Sequence, residues 1–392
     1  ATGSGKTIAA LFAASGQPAL QLLIIAVPTK NLVEQWAEEV RSVLDVPKPI
    51  LVYESAVRWQ DKLFRTLRVL HRKGWPERLV VIGSLASLSG MRFQSVLEDA
   101  GFPEYTMLIV DEVHNVGAPT YRRILDDAIS MRLGLSATPE RSHDEEGSAA
   151  IMEYFDREVY VYSMEQALED DRLTPYDYHV YAAELTEDEY ERYLKLTRAI
   201  LANRSDGTQS TTFFTNNKLD SDGRSVEQLL FKRARILKKA DAKTGTLSTI
   251  LEEHPMDRGL VYCADREQLR DVQTVLNNAG VIHLKYVGDT SPEKRQAALQ
   301  SLERGDVPVI AAIDCLDEGV DVPVVDTAVI LASSTNERQF IQRRGRVLRT
   351  APGKRKATLI DVVTLPPPAL GQDGKWLLKG ELRRAKLMAD LA

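Results

Sequence analysis

The sequence has little of several features that define special classes of protein. It contains two cysteines, Cys263 and Cys315, too few for a disulfide framework or a four-cysteine zinc site. Its longest apolar run, from Leu20 to Val27, is interrupted by Gln21 and is far too short to cross a bilayer. Low-complexity tracts and repeats of fixed period are also absent. We therefore expect a globular, cytoplasmic protein without membrane contact.

An excess of positive charge is missing as well. Fifty basic residues face 56 acidic ones, which gives a net charge of −6 and no overall attraction to nucleic acid. The charge is uneven, however, because the stretch from Glu165 to Glu189 is strongly acidic, whereas the stretch from Arg338 to Lys356 contains no acidic residue. With 44% hydrophobic and 27% charged residues over 392 positions, the composition predicts two or three ordinary globular domains.

Two series of apolar, strand-like runs alternate with helix-like segments. The first series lies within residues 22–135 and the second within residues 258–362. This alternation predicts an α/β protein in which two parallel sheets are covered on both faces. The segment from Glu184 to Pro255 has no convincing strand and predicts helices, with a polar, mobile loop from Gly207 to Arg224.

The chain begins with most of a phosphate-binding loop, Ala1-Thr2-Gly3-Ser4-Gly5-Lys6-Thr7. Its glycines would let backbone N–H groups approach phosphate oxygens, Lys6 would reach the β- and γ-phosphates, and the Thr7 hydroxyl would bind Mg²⁺. A chance glycine-rich turn is the less favoured interpretation. The pattern would place one more small residue, and a buried strand, before Ala1, so we expect the chain to be a fragment whose first strand is missing.

A second motif follows about a hundred residues later, where an apolar run ends in two acids. In Met107-Leu108-Ile109-Val110-Asp111-Glu112-Val113-His114, Asp111 could hold Mg²⁺ through water and Glu112 could orient and deprotonate an attacking water. Neighbouring acids at the end of a strand are also common in solvated turns. Combined with the phosphate-binding loop in the same α/β series, they indicate nucleotide hydrolysis.

The third motif is basic, Gln342-Arg343-Arg344-Gly345-Arg346-Val347-Leu348-Arg349. The spacing of Arg346 and Arg349 predicts that they lie one helical turn apart and can point the same way. Arginines facing a bound triphosphate stabilise the charge that develops in the transition state. For the three basic residues at 354–356, a solvated surface is an equally good interpretation.

With these three motifs in this order, the chain resembles superfamily 2 helicases and translocases, in particular the DEAH/DEVH-type branch of XPB-like helicases and restriction-enzyme motor subunits. Further segments are similar to motifs of that family, namely Val27-Pro28-Thr29-Lys30-Asn31-Leu32 with Gln35-Trp36, Gly83-Ser84-Leu85-Ala86-Ser87-Leu88, Ser136-Ala137-Thr138, Leu260-Val261-Tyr262-Cys263 and the stretch from Asp314 to Pro323.

The resemblance implies two tandem RecA-like domains with a helical insertion between them. We place the first domain at residues 1–183, the insertion at 184–255, the second domain at 256–365, and a proline linker with a terminal helix at 366–392. The family's ATP site lies between its two domains, so the first domain would bind ATP and Mg²⁺ through Thr2, Gly3, Ser4, Gly5, Lys6, Thr7, Asp111 and Glu112. The second would contribute Gly319, Asp321, Gln342, Arg346 and Arg349.

The resemblance also implies a nucleic-acid track that includes Thr29, Ser84 and Ser291, and places His114 among inter-domain contacts. For Ser84, a helix cap is nearly as good an interpretation. A basic stretch in the insertion could grip a nucleic-acid backbone or a partner, or could be a solvated face; it consists of Lys232, Arg233, Arg235, Lys238, Lys239 and Lys243.

The function expected from the resemblance is an ATP-dependent helicase or translocase that acts on nucleic acid, with DNA favoured over RNA. The processes it implies are repair, restriction or antiviral defence, with protein partners in a multi-subunit complex as one option. Two alternatives stay open, a translocase on duplex DNA that does not separate strands and a nucleotide-gated scaffold subunit.

Overall fold

The fold is known from a computed structural model, which describes residues 5–137, 144–205, 226–313, 322–332, 345–368 and 375–392. These residues form two compact units, an N-terminal unit that ends at Val161 and a C-terminal unit that begins at Tyr162. Each unit is built around its own parallel β-sheet. In the part of the chain that the structure describes, no helix combines the length and the apolar character needed to span a membrane.

The N-terminal unit contains a five-stranded sheet in the order β2-β3-β1-β4-β5. Its strands are β1 (Leu22–Val27), β2 (Ile50–Val52), β3 (Leu79–Ser84), β4 (Thr106–Val110) and β5 (Met131–Gly134). All neighbouring strands are parallel. Alternate side chains of β1 enter two separate hydrophobic clusters on opposite faces of the sheet, which explains why this strand is apolar throughout.

Helices cover both faces of this sheet. They are α1 (Lys6–Ser15), α2 (Lys30–Val43), α3 (Gln60–Lys73), α4 (Leu85–Leu88), α5 (Met91–Ala100) and α6 (Glu145–Phe155). Apolar residues of α1 and α2 share one cluster, whereas α3 and α5 contribute to the cluster on the other face. Short 3₁₀ turns lie at Ala56–Arg58, Val113–Gly117 and Arg122–Ile124.

The C-terminal unit contains a six-stranded sheet in the order β6-β11-β10-β7-β9-β8. Its strands, again all parallel, are β6 (Tyr176–Glu184), β7 (Gly259–Cys263), β8 (His283–Tyr286), β9 (Val309–Ile313), β10 (Thr327–Ile330) and β11 (Ala357–Leu365). The helices are α7 (Met164–Glu169), α8 (Glu187–Ser205), α9 (Val226–Lys238), α10 (Asp241–Glu253), α11 (Arg266–Asn278), α12 (Pro292–Arg304) and α13 (Lys375–Ala389).

The predicted α/β class with two parallel sheets is confirmed, and each predicted strand has its counterpart. Strand β6 has no counterpart among the predicted strands. It is an edge strand whose side chains are mostly half-buried or exposed and therefore show no apolar run. Among the described residues between β6 and β7 are three helices, α8 to α10, where helices were predicted. The loop predicted from Gly207 to Arg224 lies outside the described residues. The domain boundaries stay predictions; the division by contacts falls at residues 161 and 162.

Candidate nucleotide and nucleic-acid site

Four of the predicted motif segments follow the carboxyl ends of neighbouring parallel strands in the N-terminal unit. Val27 of β1 pairs in register with Ser84 of β3, Ala26 pairs with Val110 of β4, and Val110 pairs with Gly134 of β5. The strand ends therefore lie side by side, so Thr29, Ser84, Asp111 and Ser136 emerge at one edge of the sheet. In open α/β sheets this edge is where ligands bind.

The described part of the phosphate-binding loop has the geometry of an anion site. Gly5 adopts a left-handed conformation, with φ of 75°, immediately before α1. Lys6 and Thr7 are the first two residues of this helix, and its first turn contains no acidic residue. The N–H groups of a helix's first turn have no partners within the helix, and its dipole attracts negative charge. This end of α1 thus fits a phosphate group.

Asp111 is held by the protein on both carboxylate oxygens. The indole Nε1 of Trp36, from α2, donates to Oδ2 over 3.0 Å, and the backbone N–H of Glu112 donates to Oδ1 over 3.0 Å. Each carboxylate oxygen has a second lone pair, so both can still accept a bond from a metal-bound water. A half-buried carboxylate of this kind fits Mg²⁺, which is typically held by one or two carboxylates together with substrate phosphates.

Glu112 is in a left-handed backbone conformation, with φ of 47° and ψ of 55°, which is unfavourable for a residue with a side chain. The conformation is stabilised from both sides. Its N–H donates to Asp111, and its carbonyl oxygen accepts hydrogen bonds from the backbone N–H and the side-chain amide of Asn115. Strain held in place by surrounding bonds is a frequent property of functional residues, and the sequence motif carries no sign of it.

His114 connects the two acids to the segment after β5. Its side chain is buried, and Nδ1 lies 3.4 Å from a carboxylate oxygen of Glu112 and 3.3 Å from the hydroxyl oxygen of Ser136. His114 thus links the carboxylate of Glu112 to the Ser136 segment within the same unit. The predicted inter-domain role of His114 stays a prediction.

All three residues predicted for nucleic-acid contact are N-caps of helices. Ser84 caps α4 by accepting the N–H of Ser87 over 3.3 Å, so the cap interpretation describes a bond that is present. Ser291 accepts the N–H of Lys294 at the start of α12. Thr29 precedes α2 but makes no side-chain capping bond within the described residues. Contact of any of them with nucleic acid stays a prediction.

The two predicted arginine fingers lie in the C-terminal unit, but they do not share a helix as their spacing predicted. Arg346, with a buried side chain, is in a helical turn at residues 345–347. Arg349 lies beyond this turn, where its backbone pairs with Leu173 in an isolated antiparallel bridge. The remaining predicted site residues, Thr2, Gly3, Ser4, Gly319, Asp321 and Gln342, lie outside the described residues.

Lys354 holds the arginine segment in place. Its ammonium group donates to the carbonyl oxygens of Pro323 (3.0 Å), Arg349 (3.1 Å) and Val347. Pro323 ends the stretch from Asp314 that resembles a family motif, so this one side chain ties two motif segments together. From the sequence, a solvated surface is an equally good interpretation for Lys354. In the structure the side chain is half-buried and its ammonium group is bound to three carbonyl oxygens.

The basic stretch of the insertion is largely engaged inside the C-terminal unit. Arg235 and Lys239 form salt bridges with Asp265, which caps α11, and Lys239 also contacts Glu267. Burial raises the pKa of the Asp265 carboxyl, but the N–H of Gln268 and the two cations outweigh it and leave the pKa below its usual value.

Two further members of the basic stretch also have partners. Arg233 lies over the ring of Tyr193, and the buried Lys243 donates to the carbonyl oxygen of Leu331 over 2.8 Å. The nucleic-acid interpretation of this stretch therefore loses support.

The left-handed conformation of Glu112 predicts an unusual order of stabilities. We expect the free energy of unfolding, measured by urea titration, to be about 1 kcal/mol higher for Glu112→Gly than for Glu112→Ala. The reason is that only glycine adopts this conformation without steric cost. At the exposed Glu38 inside α2, the same pair of substitutions should give the opposite order, by about 1 kcal/mol. Equal or reversed stabilities at position 112 would contradict the strain.

The role of Lys354 predicts a loss of stability on its replacement. Lys354→Met removes one donor from each of three carbonyl oxygens, of which that of Arg349 also accepts from the Thr174 hydroxyl. It should lower the free energy of unfolding by about 1–3 kcal/mol in a denaturant titration. The exposed neighbour Arg355 is the matched control, and Arg355→Met should stay within about 0.5 kcal/mol of the wild type. Similar losses from the two variants would show that the carbonyl contacts are unimportant.

Two family models match the chain. Residues 1–141 match the model described as Type III restriction enzyme, res subunit, and residues 242–351 match the Helicase conserved C-terminal domain. The matched ranges contain every residue of the phosphate-binding loop, the Asp-Glu pair and the two arginines. Proteins with these domains typically use ATP with Mg²⁺.

Curated relatives have low sequence identity to this chain, but several align with most of its length. The DNA 3'-5' translocase XPB2 of Sulfurisphaera tokodaii is 27% identical over 93% of this chain and 76% of its own length. A putative DNA 3'-5' helicase Rad25 of Haloarcula marismortui is 23% identical over 91% of this chain, and a type I restriction enzyme EcoAI endonuclease subunit of Escherichia coli is 27% identical over 62%. The chain spans 48% and 30% of these two proteins.

Solved structures show the same fold. The Hef helicase domain of Pyrococcus furiosus is 19% identical, with a TM-score of 0.55 over 96% of this chain and 93% of that one. The Type ISP restriction-modification enzyme LlaBIII bound to DNA is 15% identical, with a TM-score of 0.64 over 99% of this chain and 28% of its own. The two sheets therefore have the tandem RecA-like fold. The two family models, together with the distant XPB2, Rad25 and restriction-enzyme relatives, show that the chain belongs to superfamily 2 of helicases and translocases.

Proposed function

We propose that this chain is the motor of an ATP-dependent helicase or translocase that moves along DNA. The observation that carries the proposal is the arrangement at the carboxyl ends of β1, β3, β4 and β5, where an oriented carboxylate pair adjoins two segments of the type that contacts nucleic acid. The family's domains imply ATPase activity, and DNA is favoured because the XPB2 relative is called a DNA translocase.

In the proposed mechanism, the N-terminal unit binds the triphosphate at the start of α1. Lys6 would contact the β- and γ-phosphates, while Thr7 and Asp111 would hold Mg²⁺. When bound, Mg²⁺ supplies positive charge that offsets the charge on the phosphate oxygens. Glu112 orients the attacking water and accepts its proton. His114 contacts both Glu112 and Ser136, so a change in the charge of Glu112 would alter the contacts of Ser136.

We propose that the C-terminal unit completes the reaction with Arg346 and Arg349, which stabilise the negative charge of the transition state. A site to which two domains contribute makes their closure depend on the nucleotide, and hydrolysis reopens it. If each unit also holds the nucleic-acid backbone, alternating closure moves the motor along the strand. Any protein partners in a larger complex would act on this cycle.

ATP hydrolysis that rises more with DNA than with RNA is the first expected result. Lys6→Ala should weaken nucleotide binding, whereas Glu112→Gln should keep binding and lower the DNA-stimulated rate by about 10²-fold or more, because the general base is lost. The exposed residues Lys73 and Glu38 offer matched controls, and Lys73→Ala and Glu38→Gln should keep the full rate. Full DNA-stimulated hydrolysis by either site variant would refute the proposal.

The manner of movement is decided by comparing two assays. Displacement of a paired strand indicates a helicase, whereas displacement of a third strand from a triplex without separation of the duplex indicates a translocase on double-stranded DNA. A hydrolysis rate that no nucleic acid changes would favour a nucleotide-gated scaffold over both.

Substitutions at Thr29 and Ser84 should distinguish an effect on DNA binding from an effect on the free energy of unfolding. Both Thr29→Ala and Ser84→Ala should weaken DNA binding, by about tenfold, since each removes a hydrogen bond to a charged phosphate. Ser84→Ala should also cost about 1 kcal/mol of stability because it removes a cap, whereas Thr29→Ala should not, because Thr29 makes no capping bond within the described residues.

The measurements are DNA-binding anisotropy at two salt concentrations and urea unfolding. The control is Thr66→Ala, whose hydroxyl donates only along its own helix, to the carbonyl oxygen of Lys62. If Thr29→Ala binds DNA as tightly as Thr66→Ala, Thr29 is not on the nucleic-acid track.

A further inference from the structure

Trp36 is a buried residue of α2 and belongs to the family-like segment that begins at Val27. Its side chain is 1% exposed, and it packs in the cluster that α1, α2 and one face of β1 share. The single polar atom of the indole, Nε1, donates to Oδ2 of Asp111 over 3.0 Å, across 75 residues of sequence. The indole N–H is therefore directed at the carboxylate proposed to hold Mg²⁺.

The consequence for Asp111 is a carboxylate with one orientation. The backbone N–H of Asp111 donates to Ala26 of β1 over 2.8 Å, which places its Cα at the strand end. The Glu112 N–H then engages Oδ1 and the Trp36 indole engages Oδ2, so rotation about either side-chain bond breaks a hydrogen bond. Because an indole N–H can only donate, Trp36 cannot itself be a metal ligand.

We propose that Trp36 is a positioning residue, whose indole N–H holds the Asp111 carboxylate in the orientation that binds the nucleotide's Mg²⁺. This inference rests on the proposed function, since it assumes that Asp111 holds Mg²⁺. Partners that orient a metal ligand typically contribute about ten- to hundredfold to metal affinity or activity. Trp36 thus couples a helix packed beside α1 to the metal end of the site.

The N-terminal unit contains a matched control. Trp59 is also buried, at 4% exposed, but its Nε1 has no hydrogen-bond partner among the residues that the structure describes. Trp36→Phe and Trp59→Phe therefore remove the same atoms from two buried sites, and only the first removes a bond to Asp111.

The test measures, by calorimetry on the full protein, how much Mg²⁺ tightens the binding of a non-hydrolysable ATP analogue. Trp36→Phe should reduce this tightening by about tenfold or more and leave the affinity in EDTA unchanged. Trp59→Phe should keep the wild-type tightening. In an Asp111→Asn background, Trp36→Phe should have no additional effect, because Trp36 acts through Asp111.

A second replacement guards against loss of packing. Benzothienylalanine at position 36 has the shape of tryptophan with sulfur in place of the N–H, and it should reproduce the effect of Trp36→Phe. Full tightening in both position-36 variants, an equal loss with and without Mg²⁺, or an effect that persists beside Asp111→Asn would overturn the inference alone. A wild-type protein that binds the analogue without any Mg²⁺ dependence would overturn the proposed function as well.

Discussion

The N-terminal unit depends on the burial of β1. This strand pairs on one edge with β3 and on the other with β4, so its backbone hydrogen bonds are used by the sheet, and its side chains enter clusters on both faces. A strand in this position has no group left with which to act on a ligand. Polar chemistry is therefore restricted to the residues that follow the strands, and the parallel arrangement collects those residues at one edge.

Hydrogen bonds that continue the ladder beyond the strands keep this edge in place. Asp111 donates to Ala26, Leu135 donates to Val110, and Val113 donates to Leu135, all over 2.8 Å. Gly134 lets the turn after Asp111 come close, because a Cβ there would lie 2.9 Å from a methyl group of Val113. A segment anchored so closely can keep Glu112 in a left-handed conformation that an open loop would abandon.

The strands and motifs of this fold were predictable because they are local. Six apolar residues in β1, or two acids directly after β4, are visible in the sequence without knowledge of any partner. The edge strand β6 lacks such a run, because its partial burial leaves polar and apolar residues mixed. Pairings across the chain were not predictable for a related reason. Trp36 and Asp111 meet only because α2 packs against β1 and β3 and β4 lies beside β1 in the sheet.

Charge runs show the same limit most clearly. In sequence, Arg235 and Lys239 read as positive charge available to a nucleic acid, but Asp265 and Glu267 at the start of α11 already compensate them. The sequence gives the charge of a side chain but not its ion-pair partner. The partner determines whether that charge is free to bind nucleic acid or is compensated within the protein. Arg349 departs from its predicted helical position for a comparable reason. Its backbone pairs in an antiparallel bridge with Leu173, a partner that the local sequence does not reveal.

Both units hold their motif segments with a donor that lies outside the core of the motif. In the N-terminal unit the indole of Trp36 donates to Asp111. In the C-terminal unit the ammonium group of Lys354 donates to carbonyl oxygens of the arginine segment and to that of Pro323. The motif residues determine which chemistry is possible, whereas the donors determine the direction in which a carboxylate or a backbone segment points. Because hydrogen-bond orientation rather than composition is at stake, a chain can keep every motif residue and still lose the geometry on which they act.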